Sequence, residues 1–117
     1  MREVKAAAVQ MRCVSDAASN LQTAERLIRQ AAAEGAQIIL LPELFERPYF
    51  CQERQYGYYQ YARTAEENAA VARLSALARE LRVVLPVSFY ERDGNRLYNS
   101  AAILDADGSL LGVYRKT

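Results

Sequence analysis

Hydrophobic positions along the chain fall into short runs separated by polar turns. Five of these runs predict β-strands, at residues 4–11, 37–42, 83–90, 97–104 and 110–114. The first run is almost wholly apolar, which is typical of a strand buried on both faces of a helix-covered sheet. Pro86, in the third run, lacks a backbone donor and therefore favours a bulge or an edge position. The last two runs follow turn sequences and predict a meander of hairpins.

Two segments between these runs carry apolar residues at helical spacing. Ser19 with Gln22, and Thr64 with Glu67, have the spacing of capping boxes and predict where the two helices begin. Gly35 predicts the end of the first helix. The order β-α-β-α-β-β-β predicts an α/β fold, with parallel crossovers first and antiparallel strands last. The apolar stripes of the helices are Leu21, Ala24, Leu27, Ile28 and Ala31 in the first, and Val71, Leu74, Leu77, Ala78 and Leu81 in the second.

Composition and charge narrow the classes of function. The chain of 117 residues is 51% hydrophobic and 25% charged, as in one soluble globular domain. Its net charge is +1 with no block of either sign, so neither nucleic acid nor a membrane is an expected partner. Two cysteines and the lack of a signal-like apolar run at the start favour the cytoplasm. Histidine is absent, which excludes Ser-His and Cys-His catalytic pairs within this stretch.

Two charged residues that follow predicted strands are the candidates for chemistry. Glu43 stands at the end of the second strand, and Lys116 comes just after the fifth. In open α/β sheets the loops beyond the carboxyl ends of the strands converge, so these two side chains could meet above one sheet. Taken alone, each residue is more often a solvated surface charge.

The segments around these two residues resemble the motifs of a known family. LPELFERPYF at residues 41–50 is similar to the glutamate motif of the nitrilase superfamily of carbon-nitrogen hydrolases, and GVYRKT at residues 112–117 is similar to its lysine motif. Between them, SFYERDGNRLYNS resembles the family's strand, hairpin and Tyr-Asn-Ser sequence. The resemblance extends over nearly the whole chain, from AAAVQM onward. Within the superfamily it is strongest to the N-carbamoylputrescine amidohydrolases, chiefly through ELFERPYFCQ.

This resemblance implies a fold and a set of site residues. The expected fold is the amino-terminal part of an αββα sandwich of the nitrilase type, with a mixed sheet and helices packed on it. Family members combine Glu, Lys and Cys, which implies Glu43 as the general base and Lys116 as the cation that supports the oxyanion. A carboxylate suits the first role because a thiol must lose its proton to attack, and a fixed ammonium suits the second. The resemblance implies a homo-oligomer and no cofactor or metal.

The family's nucleophilic cysteine does not follow Lys116, because the sequence stops at Thr117. Residues 1–117 are therefore interpreted as the first part of a single carbon-nitrogen hydrolase domain, catalytically silent alone. Cys13 follows the first strand and Cys51 lies in an aromatic-rich loop. Each is interpreted as a structural or incidental thiol.

Other polar and aromatic residues have two interpretations. Glu46 and Glu91 would place negative charge near a cationic substrate, but a solvated loop or strand-end role is favoured for both. Tyr98 and Asn99 are expected to serve the fold, Asn99 by satisfying backbone groups near a turn. The aromatic cluster at residues 45–61 would line either a substrate mouth or a subunit contact.

The expected function is hydrolysis of a linear amide or ureido carbon-nitrogen bond through a thioester intermediate. The expected substrate is N-carbamoylputrescine, which would give putrescine, carbon dioxide and ammonia in polyamine biosynthesis. One alternative is an amidohydrolase that acts on carbamoyl amino acids or β-ureido acids. Another, from a different class, is a non-catalytic interaction module that pairs with other chains through open sheet edges or apolar faces.

Overall fold

The computed structural model describes residues 2–46 and 62–116, and its elements follow the predicted order. Strands β1 and β2 pair in parallel, whereas β3, β4 and β5 form an antiparallel meander. The predicted succession of a parallel crossover and a meander is therefore confirmed. The elements are β1 (Ala6–Ala8), α1 (Ala17–Ala33), β2 (Ile38–Leu40), α2 (Ala69–Leu81), β3 (Leu85–Asp93), β4 (Arg96–Leu104) and β5 (Leu110–Arg115).

The parallel pair and the meander join at Val84. Ile39 N donates to Val84 O at 3.0 Å, and Val84 N donates to Gln37 O at 2.8 Å. Pro86 lies two residues further on, on the same side of the strand, and has no N–H with which to continue the ladder. The pairing with β2 thus ends before Pro86. Within the three-stranded meander β3 is the outer strand, which confirms the predicted edge position.

Both helices pack on one face of the sheet, and the core lies between them and the strands. Ile28 of α1 and Leu74 of α2 are fully buried together with Ile39, Leu85 and Val87 of the strands. We call this side the covered face. The opposite side, which we call the open face, carries the exposed side chains of Ile38, Leu40 and Tyr114.

The prediction that β1 is buried on both faces is wrong. Ala7 is half-buried, whereas Ala6 and Ala8 are exposed. The reason is that both helices lie on the covered face and no element of the described residues packs on the other. An apolar run thus indicated a strand correctly but not how many of its faces are covered.

Helix α1 has a different cap from the predicted one. Asp16 is the N-cap, and its carboxylate accepts from Ala18 N at 3.2 Å and from Ser19 Oγ at 2.8 Å. Ser19 therefore lies inside the first turn, and the predicted capping box of Ser19 with Gln22 is wrong, because an equally good capping residue stands three positions earlier. The helix ends as predicted, with Gly35 at a left-handed φ of 94°.

Helix α2, in contrast, begins later than predicted. Its N-cap is Asn68, whose side chain accepts from Val71 N at 2.9 Å. Thr64 Oγ1 does accept from Glu67 N, at 3.2 Å, but this bond closes a separate turn that precedes the helix. The Thr64–Glu67 spacing therefore identified a local cap and misplaced the helix by one turn.

Candidate active site

Glu43 lies at the beginning of a tight turn that follows β2. Leu44, the next residue, has a left-handed backbone with φ of 51°, and Leu44 and Phe45 are both buried. Leu44 N donates to Ser88 Oγ of β3 at 2.9 Å. A leucine adopts this conformation only when its neighbours hold it there, so the turn is fixed by its buried residues. The Glu43 side chain, in contrast, is 41% exposed.

Two buried asparagines hold the end of this turn. Asn20 Nδ2 of α1 donates to Glu46 O at 2.7 Å, and Asn68 Nδ2 donates to Glu46 Oε1 at 2.9 Å. Glu46 is half-buried and hydrogen-bonded. Its interpretation as a solvated loop residue is therefore wrong. Leu44 and Glu46, both on the carboxyl side of Glu43, thus anchor the turn to α1, to the N-cap of α2 and to β3.

Lys116 follows β5 and lies beside Glu43. Its backbone N donates to Asn99 O at 2.9 Å, which continues the pairing of β5 with β4 by one residue. Its Nζ lies 3.2 Å from Glu43 Oε1. The structure thus brings together the two residues that the sequence singled out, although they are 73 positions apart.

Asn99 is a third member of this cluster. Its Nδ2 donates to Glu43 Oε1, the same oxygen that contacts Lys116. The expectation that Asn99 satisfies backbone groups near a turn is wrong, because it lies within β4 and its side chain binds a carboxylate. The register of the β3–β4 hairpin would have predicted this contact. It places Asn99 opposite Tyr90 and therefore on the same face of the sheet as Lys116.

A carboxylate and an ammonium in direct contact can perform two complementary tasks. The carboxylate of Glu43 can accept a proton, and the ammonium of Lys116 can stabilise negative charge that develops nearby. The Lys116 side chain is 61% exposed, so the pair is accessible from the open side of the sheet.

Arg115, which immediately precedes Lys116, makes an ion pair on the covered face. Its Nε lies 2.9 Å from Glu91 Oε1 and its Nη2 lies 3.2 Å from Glu91 Oε2. Ser100 Oγ donates to Glu91 Oε1 at 2.7 Å. The hydrogen bonds from Arg115, and then that from Ser100, hold the pKa of Glu91 below its usual value. The solvated strand-end interpretation of Glu91 is therefore wrong: the residue is only 6% exposed.

Two further contacts hold Arg115. Its Nη2 lies 2.8 Å from Asp93 Oδ2, and its guanidinium lies over the Tyr98 ring, 4.2 Å from the centroid. Tyr98 thus serves the fold, as predicted, by packing against the cation that pairs with Glu91.

Cys13 is a free thiol that is partly buried against the core. Its burial raises its pKa. A thiol with a raised pKa is a poor nucleophile near neutral pH, which agrees with a structural role for Cys13. Cys51 lies outside the described residues.

Phe45 belongs to the core and is fully buried, so the prediction that it lines a substrate mouth or subunit contact is wrong. The other aromatic residues of that cluster, at positions 49–61, lie outside the described residues. Within residues 2–46 and 62–116, no helix is long and apolar enough to cross a membrane. The same residues contain no group of three or more His, Cys, Asp or Glu side chains arranged to hold a metal ion.

Comparison with known proteins identifies the family to which this chain belongs. The carbon-nitrogen hydrolase family matches residues 5–117, and the chain belongs to that family. A carbon-nitrogen hydrolase from Helicobacter pylori G27 has a similar structure, with a TM-score of 0.88 and 29% sequence identity. That similarity covers 97% of this chain and 39% of the other. The expected α/β fold of the nitrilase type is therefore confirmed for this part of the domain.

Two relatives are more similar in sequence. The N-carbamoylputrescine amidase of Oryza sativa subsp. japonica is 50% identical over 115 residues, which are 98% of this chain and 38% of that protein. The citrullinase of Francisella tularensis subsp. tularensis is 47% identical over 116 residues, which are 99% of this chain and 41% of that protein. The chain thus spans about two fifths of the length of these relatives.

Proposed function

We propose that this chain is the amino-terminal part of a carbon-nitrogen hydrolase domain that cleaves N-carbamoylputrescine in polyamine biosynthesis. The observation that carries the proposal is the 3.2 Å contact between Lys116 Nζ and Glu43 Oε1. The two residues belong to segments that resemble the glutamate and lysine motifs of the family. The relatives named N-carbamoylputrescine amidase and citrullinase support a ureido group as the part of the substrate that reacts.

In this proposal Glu43 acts as the general base and Lys116 as the electrostatic stabiliser. Glu43 takes the proton of a cysteine thiol that belongs to sequence beyond Thr117, and the thiolate sulfur attacks the carbonyl carbon. Lys116 stabilises the resulting oxyanion. One carbon-nitrogen bond of the ureido group breaks as the leaving amine takes the proton that Glu43 removed from the thiol, and Glu43 then prepares a water that hydrolyses the thioester to the free thiol and a carbamic acid. The carbamic acid loses carbon dioxide and releases the second amine, so that in total one water converts N-carbamoylputrescine to putrescine, carbon dioxide and ammonia.

The rigidity of the Glu43 turn supports this assignment. A general base must stay within hydrogen-bonding distance of the proton it removes, and small displacements of a catalytic group cost large factors in rate. The bonds from Leu44 N to Ser88 and from Asn20 and Asn68 to Glu46 fix the backbone on the carboxyl side of Glu43. A carboxylate with only a surface role has no need of such anchoring.

The citrullinase relative favours a second candidate, a carbamoyl amino acid. Citrulline and N-carbamoylputrescine both carry a ureido group at one end of a short carbon chain and an amine at the other. They differ in the α-carboxylate of citrulline. The same chemistry at Glu43 and Lys116 therefore serves either substrate, and the choice between them depends on the groups that contact the far end of the molecule.

The test uses the complete product of the gene that encodes this chain. Ammonia release is measured with N-carbamoylputrescine, citrulline and a β-ureido acid at equal concentrations. We expect the highest kcat/KM with N-carbamoylputrescine and its loss in Glu43→Gln. Preference for citrulline or the β-ureido acid would select the second candidate.

The interaction-module alternative makes the opposite prediction. A gene product that ends at Thr117, turns over none of these substrates and forms stable complexes with other chains would replace the enzyme proposal. Homo-oligomerisation stays a prediction, which light scattering of the complete product tests.

A further inference from the structure

We propose that Asn99 is a positioning residue that holds the Glu43 carboxylate against the Lys116 ammonium. This inference rests on the proposed function, because its consequence for catalysis requires that the Glu43–Lys116 pair is the reacting site. It assigns a role to a strand residue that composition and motif spacing do not reveal.

Asn99 is bonded to both charged residues by different groups. Its side-chain Nδ2 donates to Glu43 Oε1, and its backbone oxygen accepts from Lys116 N at 2.9 Å. Because Asn99 lies within β4, its backbone is held by β3 on one side and by β5 on the other. The side-chain amide of Asn99 is therefore a donor on the central strand of the three-stranded sheet, which is paired on both sides.

The Glu43–Lys116 pair needs such a donor because the attraction between two exposed charges does not orient their side chains. Exposed Lys–Glu pairs are screened by solvent, and the lysine side chain has many rotamers. The Lys116 and Glu43 side chains are 61% and 41% exposed, so their mutual attraction does not fix the carboxylate in one orientation. A neutral amide adds direction without adding charge, and it leaves the proton-accepting chemistry to Glu43.

Glu43 is consequently held at two points by residues of adjacent strands. Ser88 of β3 accepts from the backbone of Leu44 and holds the turn, whereas Asn99 of β4 binds the carboxylate itself. If Asn99 were only a surface polar residue of the strand, its removal would leave the orientation of Glu43 and the turnover rate unchanged.

The test compares Asn99→Asp with Asn95→Asp in the complete gene product. Asn95 lies in the exposed turn between β3 and β4, so the control makes the same chemical change in the same hairpin, away from Glu43. Asn99→Asp replaces the donor by a carboxylate that repels Glu43. We expect its kcat to fall on the order of 100-fold, with KM changed by less than about threefold. Asn95→Asp should retain the wild-type kcat.

Asn99→Leu is a second variant for the case in which Asn99→Asp fails to fold. Leucine has nearly the same shape as asparagine but no donor. We expect a smaller fall in kcat for Asn99→Leu, with the same KM. Wild-type kcat in a folded Asn99 variant, or equal losses in the Asn95 control, would overturn the proposal.

If the wild-type protein turns over no ureido or amide substrate, the proposed function fails, and the position of Glu43 is read directly by NMR. The side-chain carboxyl carbon resonance of Glu43 should move in Asn99→Leu and stay unchanged in Asn95→Asp. An unchanged Glu43 resonance in Asn99→Leu would overturn the positioning role independently of activity.

Discussion

Two ion pairs lie on opposite faces of the same sheet and use neighbouring residues of one strand end. Arg115 pairs with Glu91 on the covered face, and Lys116 pairs with Glu43 on the open face. Successive side chains of a strand point to opposite faces, so a single step along the chain separates the two environments. Glu91 is 6% exposed, whereas the Glu43 side chain is 41% exposed.

The comparison shows that burial, and not the type of residue, separates a structural carboxylate from a candidate catalytic one. A buried carboxylate must be paired and hydrogen-bonded, and Glu91 has two partners that satisfy both of its oxygens. An exposed pair adds little to folding stability. The position of the Glu43 carboxylate can therefore serve a reaction with little loss of folding stability.

The largest expected effect concerns activity on the open face. Glu43→Gln in the complete gene product should lower kcat on the order of 1,000-fold, because an amide cannot accept the proton of the thiol. Its free energy of unfolding should change by less than about 1 kcal/mol. Ammonia release and urea denaturation measure the two quantities. Glu66→Gln, which alters an exposed glutamate in the turn before α2, is the matched control. Full activity in Glu43→Gln would show that Glu43 is not the general base.

The next effect concerns stability on the covered face. Glu91→Gln should lower the free energy of unfolding by about 2 kcal/mol, because hydrogen bonds to a charged group are lost in a buried site. Asp93→Asn is the control, since Asp93 is the exposed carboxylate that contacts the same Arg115. Urea denaturation of both variants should show the larger loss for Glu91→Gln. Equal losses would mean that burial does not distinguish the two carboxylates.

The pH dependence of folding stability tests the role of the buried Glu91 in a second way. The pKa of Glu91 is lower in the folded protein than the ordinary value of about 4.3, so the ionised carboxylate stabilises the native state above that pH. This contribution is lost as the pH falls from about 4.3 through the lower folded pKa. Thermal unfolding between neutral and acidic pH should therefore show a weaker acid dependence in Glu91→Gln than in the wild-type protein. Identical pH profiles would contradict the assignment.

The smallest effect concerns a third ion pair, on the outer surface of the helices. Arg29 of α1 contacts Glu80 of α2 and lies 3.2 Å from Glu25. The Arg29 and Glu80 side chains are exposed, and salt screens contacts between exposed charges. Arg29→Gln should leave both the urea midpoint and the activity unchanged. A measurable loss of stability that persists at high salt would show that exposure alone does not predict which pairs matter.

Several features of the fold could be predicted because their causes are local. The helical stripes led to α1 and α2, and the hairpin turns led to β4 and β5. The predicted helix starts were misplaced, because Asp16 and Asn68 compete with Ser19 and Thr64 for nearly the same positions. Capping residues differ little in intrinsic preference, so packing of the helix on the sheet selects among them.

By itself, the sequence determined the order of the elements and the two strand-end residues Glu43 and Lys116, because hydrophobic spacing and turn chemistry act over a few residues. Only the tertiary structure decided that Glu91 lies inside with Arg115 and that Asn99 binds Glu43. Those contacts depend on the register of β3 against β4 and on which face the helices cover. A shift of one residue in that register would exchange the two faces and every partner on them.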